Sequence, residues 1–96
     1  MAGPIYKFFM AKFSEAWYRL SEEEKERLMT RLNGALEAAG GKRFLLCDAR
    51  WSSDQWMFAG VEEFPSLEAV QSFTAALTEL SWFRYCESIS LLGTER

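Results

Sequence analysis

Apolar and polar positions alternate along this chain with two different periods, and the period switches four times in 96 residues. Ile5 to Phe13 reads IYKFFMAKF, aromatic-rich and bounded by Pro4 and Ser14, which predicts a strand. Tyr6, Phe8, Met10 and Lys12 share one face of it, and Lys7, Phe9, Ala11 and Phe13 share the other. Both faces are mostly apolar, which suits a central strand covered on both sides. Ser14 to Leu20 reads as a connector carrying Trp17 and Tyr18. Ser21 with Glu24 three residues on is a capping box, and Glu22, Glu23 and Glu24 sit at the positive end of a helix dipole. Leu28, Met29, Leu32, Ala35, Leu36 and Ala39 then recur at helical spacing until Gly40-Gly41 ends the helix. Gly34 inside it costs about 1 kcal/mol against alanine.

The second half repeats the scheme. Arg43 to Trp51, RFLLCDARW, predicts a second strand, and Gln55 to Glu63, QWMFAGVEE, a third. Ser52-Ser53-Asp54 between them reads as a tight polar turn, so the two are expected to form an antiparallel hairpin. Ser66 is the N-cap of a second helix whose buried stripe is Leu67, Val70, Phe73, Leu77 and Leu80. Ser81 to Arg84 is an aromatic corner, Tyr85 to Leu92 a fourth strand, and Gly93 to Arg96 a polar tail.

The order β-α-β-β-α-β predicts an α+β, ferredoxin-like domain over residues 1–96: a four-stranded antiparallel sheet with two helices on one face. Strands one and three are the most apolar and belong in the middle. Strands two and four carry Asp48, Arg50, Glu87, Ser88 and Ser90, as edges do. Cys47 and Cys86 then lie on opposite edges, out of bridging range. Two helices cover only one sheet face, so the other meets water or a partner. With Met57, Ala59 and Val61 placed toward the helices, Trp56, Phe58, Gly60 and Glu62 face outward. Such a patch predicts a homodimer built sheet on sheet.

Composition sharpens this picture. Hydrophobic residues make up 49%, and 4 Trp, 3 Tyr and 8 Phe are many for a small domain. They suggest burial against a second subunit or a hydrophobic small molecule. A net charge of −3 argues against nucleic acid. The chain has no histidine, which removes the commonest general base and most zinc chemistry, so no metal and no cofactor are expected. No charged-then-apolar leader precedes Pro4, and no apolar run approaches the ~18 residues of a membrane span. Two unpaired cysteines point to a reduced, cytoplasmic setting with no membrane partner.

Trp17, Leu20, Ser21 and the glutamates after it, Asp48-Ala49, Trp56, and the closing run Leu80-Ser81-Trp82-Phe83-Arg84-Tyr85-Cys86-Glu87 carry a resemblance. The chain resembles the dimeric α+β barrel superfamily, and within it the darcynin-type proteins. The resemblance implies two sheets packed face to face. It spans nearly the whole chain but includes no catalytic signature. Relatives in that superfamily include cofactor-free monooxygenases, lactone isomerases, polyketide cyclases and haem enzymes. The missing histidine speaks against haem ligation and histidine-dependent cyclisation here, and no catalytic residue is carried over.

Candidate chemistry therefore rests on carboxylates and tyrosines. Asp48 and Arg50 share a strand face about 7 Å apart. They are either a guanidinium-oriented general base or a solvated edge pair. Glu62 would have a raised pKa beside Trp56 and Phe58, or would sit exposed at a rim. Glu87 has Lys7 or Lys12 as a neighbour on the adjacent strand. Tyr6 and Tyr85 can donate a hydrogen bond in an apolar pocket or simply pack their rings. Phe8, Trp51, Trp56 and Phe58 are pocket or interface candidates, whereas Trp17 and Trp82 read as core. Cys47 reads as a small core residue. An RNA-recognition role fails because WMFAGVEEF is acidic. Small-molecule binding, cofactor-free catalysis by a carboxylate or tyrosine, and a purely structural dimer stay open.

Overall fold

Each long helix begins where a serine supplies an oxygen for its free N–H groups. Ser21 Oγ accepts from the Glu24 amide at 3.1 Å, and Glu24 Oε1 accepts from the Ser21 amide at 2.8 Å. Both bonds hold the Glu24 carboxyl below its ordinary value. Ser66 Oγ accepts from the Ala69 amide at 3.1 Å. Gly40, at φ 76°, and Gly41 end the first helix. Their amides donate to Glu37 and Leu36 carbonyls at 2.9 Å each, a termination that needs a residue free to take positive φ.

The computed structural model describes residues 3–96; Met1 and Ala2, part of the leader reading above, lie outside them. Its elements run β1 (Ile5–Phe13), α1 (Glu15–Tyr18), α2 (Glu22–Ala38), β2 (Lys42–Asp48), β3 (Phe58–Phe64), α3 (Leu67–Glu79), α4 (Trp82–Tyr85) and β4 (Cys86–Gly93). The sheet order is β2-β3-β1-β4, with every pairing antiparallel. The α+β, ferredoxin-like arrangement expected from the sequence is present, with β1 and β3 central. Two short helices, α1 and α4, occupy the connector and the aromatic corner. No helix among the described residues is long and apolar enough to cross a membrane.

The expected tight turn between β2 and β3 is instead a nine-residue loop, 49–57. Serine and aspartate oxygens satisfy its backbone. Ser53 Oγ accepts from the Gln55 and Trp56 amides, and Asp48 Oδ1 accepts from the Arg50 amide. Arg50, Trp51 and Trp56 are therefore loop residues rather than strand residues.

The face assignment is inverted relative to the sequence reading. Phe58, Gly60, Glu62 and Phe64 point under the helices, and Ala59 and Val61 point away. Gly60 shows why. A Cβ there would lie 2.7 Å from the Phe9 ring, so the missing side chain lets Phe9 lie across the strand. Phe9, Ala11 and Phe13 line the same helix-side space as Phe58 and Glu62. The core is Ala11, Trp17, Leu32, Leu36, Phe64, Val70, Phe73, Leu77, Trp82 and Cys86. Trp17 stacks on Phe13 at 4.1 Å, and Trp82 meets both rings edge-on. Trp17 and Trp82 are core residues, as read from the sequence.

Among the described residues, no element covers the opposite face. A bulge in β2 makes Arg43 pair with Glu62 and Leu45 with Val61, leaving Phe44 as the extra residue. Phe44 and Leu45 thereby both reach the bare face, where Phe44 meets the Tyr6 ring edge-on at 6.4 Å. Phe8, Met10, Ile89 and Leu91 complete it, and Leu91 is 71% exposed.

Candidate functional site

Register places three charges in a row on the helix side of the sheet. Glu62 on β3 lies between Lys7 on β1 and Arg43 on β2. Around them a cavity of about 210 Å³ opens between sheet and helices. Its apolar wall comes from Phe9, Phe13 and Phe58 below and from Met29, Leu32, Phe73, Leu77 and Trp82 above. Glu62 is only 5% exposed. One of its oxygens takes a 3.4 Å bond from Arg43 Nη2, while Arg43 Nη1 donates to Asn33 Oδ1 on α2 at 3.0 Å. Asn33 thus ties the guanidinium to a helix. The Lys7 ammonium sits 5.3 Å from the Phe73 ring centroid and, among the described residues, has no carboxylate within 4.0 Å.

The Glu62–Arg43 pair was not foreseen. The signal was present: antiparallel pairing of the two central strands sets Lys7 opposite Glu62, and Arg43 starts the neighbouring edge. Outward placement of Phe58 and Glu62 hid it. Both belong to the helix-side cavity.

The other candidates disperse. Asp48 and Arg50 do come together, with Arg50 Nε and Nη2 on the two Asp48 oxygens at 3.0 and 2.8 Å. These bonds hold the Asp48 carboxyl down to about 2, and Asp48 in turn raises the Arg50 guanidinium. The pair is exposed, closes the start of the 49–57 loop, and lines neither the cavity under the helices nor the hollow of the bare face. Tyr6 and Phe8 lie on the bare face. Desolvation, then the charges of Glu63 and Glu95, push the Tyr6 hydroxyl up. Trp51 is 85% exposed in the loop. Trp56 is half-buried, with Lys12 Nζ 5.8 Å from its ring. Tyr85 packs its ring against the core at the end of α4. Glu87 is exposed opposite Lys12 in the β1–β4 register, on the bare face. Cys47 is exposed on the bare face rather than in the core, because the bulge sets its side outward. Cys86 lines the cavity. Burial first, then the Glu87 charge, push its thiol up to about 11.

These donors do not suit haem. Axial ligation uses histidine, thiolate, methionine or tyrosinate. This chain has no histidine, the cavity's one thiol is pushed up to about 11, and Met29 in the lining offers only a thioether, which ligates haem iron alongside a histidine. The described residues also contain no cluster of three metal-ligating side chains.

The sequence matches no protein-family model and no curated protein. The fold does match solved structures. A chlorite dismutase variant from Candidatus Nitrospira defluvii superposes with a TM-score of 0.78 at 18% identity, covering 100% of this chain and 41% of that one. The same protein in complex with imidazole gives 0.77 at 18% identity, over 99% and 41%. A protein of unknown function from Rhodopseudomonas palustris gives 0.66 at 15% identity, over 100% and 85%. This chain therefore spans about two fifths of the length of the chlorite dismutase chains. It has the chlorite dismutase-like fold of the α+β barrels.

Proposed function

We propose that this chain is a small homodimeric protein that binds a hydrophobic or aromatic small molecule in the cavity between its sheet and helices. The observation that carries the reading is Glu62, 5% exposed yet held by one 3.4 Å bond to Arg43 inside an apolar cavity. Burying a carboxylate costs several kcal/mol unless it is well partnered. A folding-only solution would put an apolar side chain there. The cavity size is apt, since about 150 Å³ of apolar space holds benzene and about 210 Å³ adds room for a short substituent. Amide shifts in an NMR titration with indole and benzyl alcohol test this. Shifts clustering at Leu32, Glu62, Phe73 and Trp82, lost in Leu77→Trp, are expected. No shift with any ring compound would sink the reading.

The homodimer part is supported by the bare sheet face. One chain exposes 6608 Å², roughly 900 Å² more than the ~5,700 Å² of a typical folded chain of its size. A standard interface covers ~800 Å² per partner. The face is also concave, with a hollow of about 580 Å³ lined by Phe8, Met10, Leu45, Val61 and Ile89. Sedimentation showing a monomer at micromolar concentration would overturn it. The darcynin-type likeness and a reduced, cytoplasmic setting belong to the same reading. Two free cysteines on opposite sheet edges support the latter.

A second reading, cofactor-free proton transfer, is favoured by the same Glu62. Asp48 with Arg50 is the weaker base, because a carboxyl held near 2 has little affinity for a proton at neutral pH.

A further inference from the structure

The polar groups around the cavity are unbalanced. Lys7 and Arg43 bring two positive charges and Glu62 one negative, leaving the lining at +1 in a chain of net −3. Arg43 is occupied, by Glu62 and by Asn33. Lys7 is not: among the described residues its ammonium makes no ion pair or side-chain hydrogen bond, and it lies 5.3 Å from the Phe73 ring centroid. On the neighbouring edge strand, Ser88 and Ser90 also line the cavity. Ser90 sits opposite Phe9, one diagonal step from Lys7, and among the described residues neither hydroxyl is engaged by another side chain. The lining thus offers unused donors along β1 and β4, while its single anionic acceptor is already engaged.

We infer that the ligand is a single-ring aromatic carboxylate, its ring on Phe9, Phe73 and Leu77 and its carboxylate on Lys7 and Ser90. The inference rests on the small-molecule reading above and adds the ligand's charge. A ring entering the cavity displaces water from the Lys7 ammonium. A neutral ligand leaves that loss uncompensated, a cationic one adds repulsion, and a carboxylate replaces the lost water with charge-assisted bonds. Size sets the rest, because about 210 Å³ takes one ring and a short substituent.

Titration calorimetry with benzoate, benzyl alcohol and benzylamine separates the possibilities at constant ring size. Benzoate should bind about tenfold tighter than benzyl alcohol or better, since a hydrogen bond to a charged group contributes ~1.5–3 kcal/mol. Benzylamine should be weakest. Lys7→Met should abolish the preference for benzoate over benzyl alcohol, and benzyl alcohol itself should bind no more weakly than in the wild-type protein. Should that variant fail to fold, added salt on the wild-type protein serves instead: benzoate affinity should fall and benzyl alcohol affinity should not. Equal binding of benzoate and benzyl alcohol, or tighter benzylamine, overturns the anionic ligand and leaves the cavity reading intact. Binding of none of the three overturns both.

Discussion

The two faces of this sheet are nearly equal in apolar character and opposite in fate. Under the helices, Phe9, Phe13, Phe58 and Phe64 lose their water to Met29, Leu32, Phe73, Leu77 and Trp82. On the other side Phe8, Met10, Phe44, Leu45, Ile89 and Leu91 stay exposed, with no described element of the chain above them. The polar residues divide the other way. The covered face holds Lys7, Glu62 and Arg43 in a row across β1, β3 and β2, whereas the bare face carries its charges at its ends, Lys12 and Glu87 at one and Glu63 with Lys42 at the other. Apolar content alone therefore does not mark a core. The covered face is built around a polar row, and the bare face leaves its apolar side chains uncovered by any described element.

The sharpest separation of the faces comes from truncating one ring on each. Phe64 is 0% exposed, so Phe64→Ala should cost about 3–5 kcal/mol in urea unfolding. Phe44→Ala on the bare face should cost far less in a monomer and register mainly as weaker association. Equal losses at low protein concentration would erase the distinction.

Ile89→Glu tests what covers the bare face. In a lone chain the substitution is a surface change, within about 0.5 kcal/mol. Across a dimer interface it buries an unpaired charge at a cost of several kcal/mol. Sedimentation should show a folded monomer at concentrations where the wild-type chain is paired, and an unchanged mass would argue that the face stays wet.

The cysteines report on both faces at once. Cys47 should react readily with a thiol reagent in dilute solution and more slowly as concentration rises and the bare face is covered. Cys86, pushed up to about 11, should stay unreactive near neutral pH until the chain unfolds. A Cys86 rate matching that of Cys47 would show that the covered face opens.

The smallest effect concerns a group on neither apolar surface. The Asp48 carboxyl is lowered from 3.8 to about 2, so its contribution is present above the higher value and lost as pH falls through the lower one. Asp48→Asn should flatten the acid limb of melting temperature between about pH 4 and 2. It should leave cavity binding at pH 7 unchanged, and a change there would give the pair a part in the site.

Much of the fold was legible because its cues are local. The capping box at Ser21, the Ser66 cap and Gly40-Gly41 fix helix ends through bonds within a few residues. Alternation in IYKFFMAKF fixes a central strand. What failed depends on partners far along the chain. QWM reads as strand by aromatic content, yet Ser53 and Asp48 oxygens turn that segment into a loop. The faces of β3 could not be told apart by period two, since both are apolar. Only the closeness of Gly60 to the Phe9 ring decides, and it needs the β1–β3 register. The same register assembles Lys7, Glu62 and Arg43, so the candidate site was legible residue by residue but not as a constellation.

The extra residue in β2 has a consequence for the rim of the sheet. β2 is an edge strand, and an edge of regular pleat is a template on which another extended chain can grow. The offset at Phe44 breaks the even spacing of free N–H and C=O groups along that border, so a second strand cannot zip along it in register. A chain this rich in aromatic residues is thereby protected on one border from strand-by-strand growth, and the broad side of the sheet stays open for the pairing proposed above.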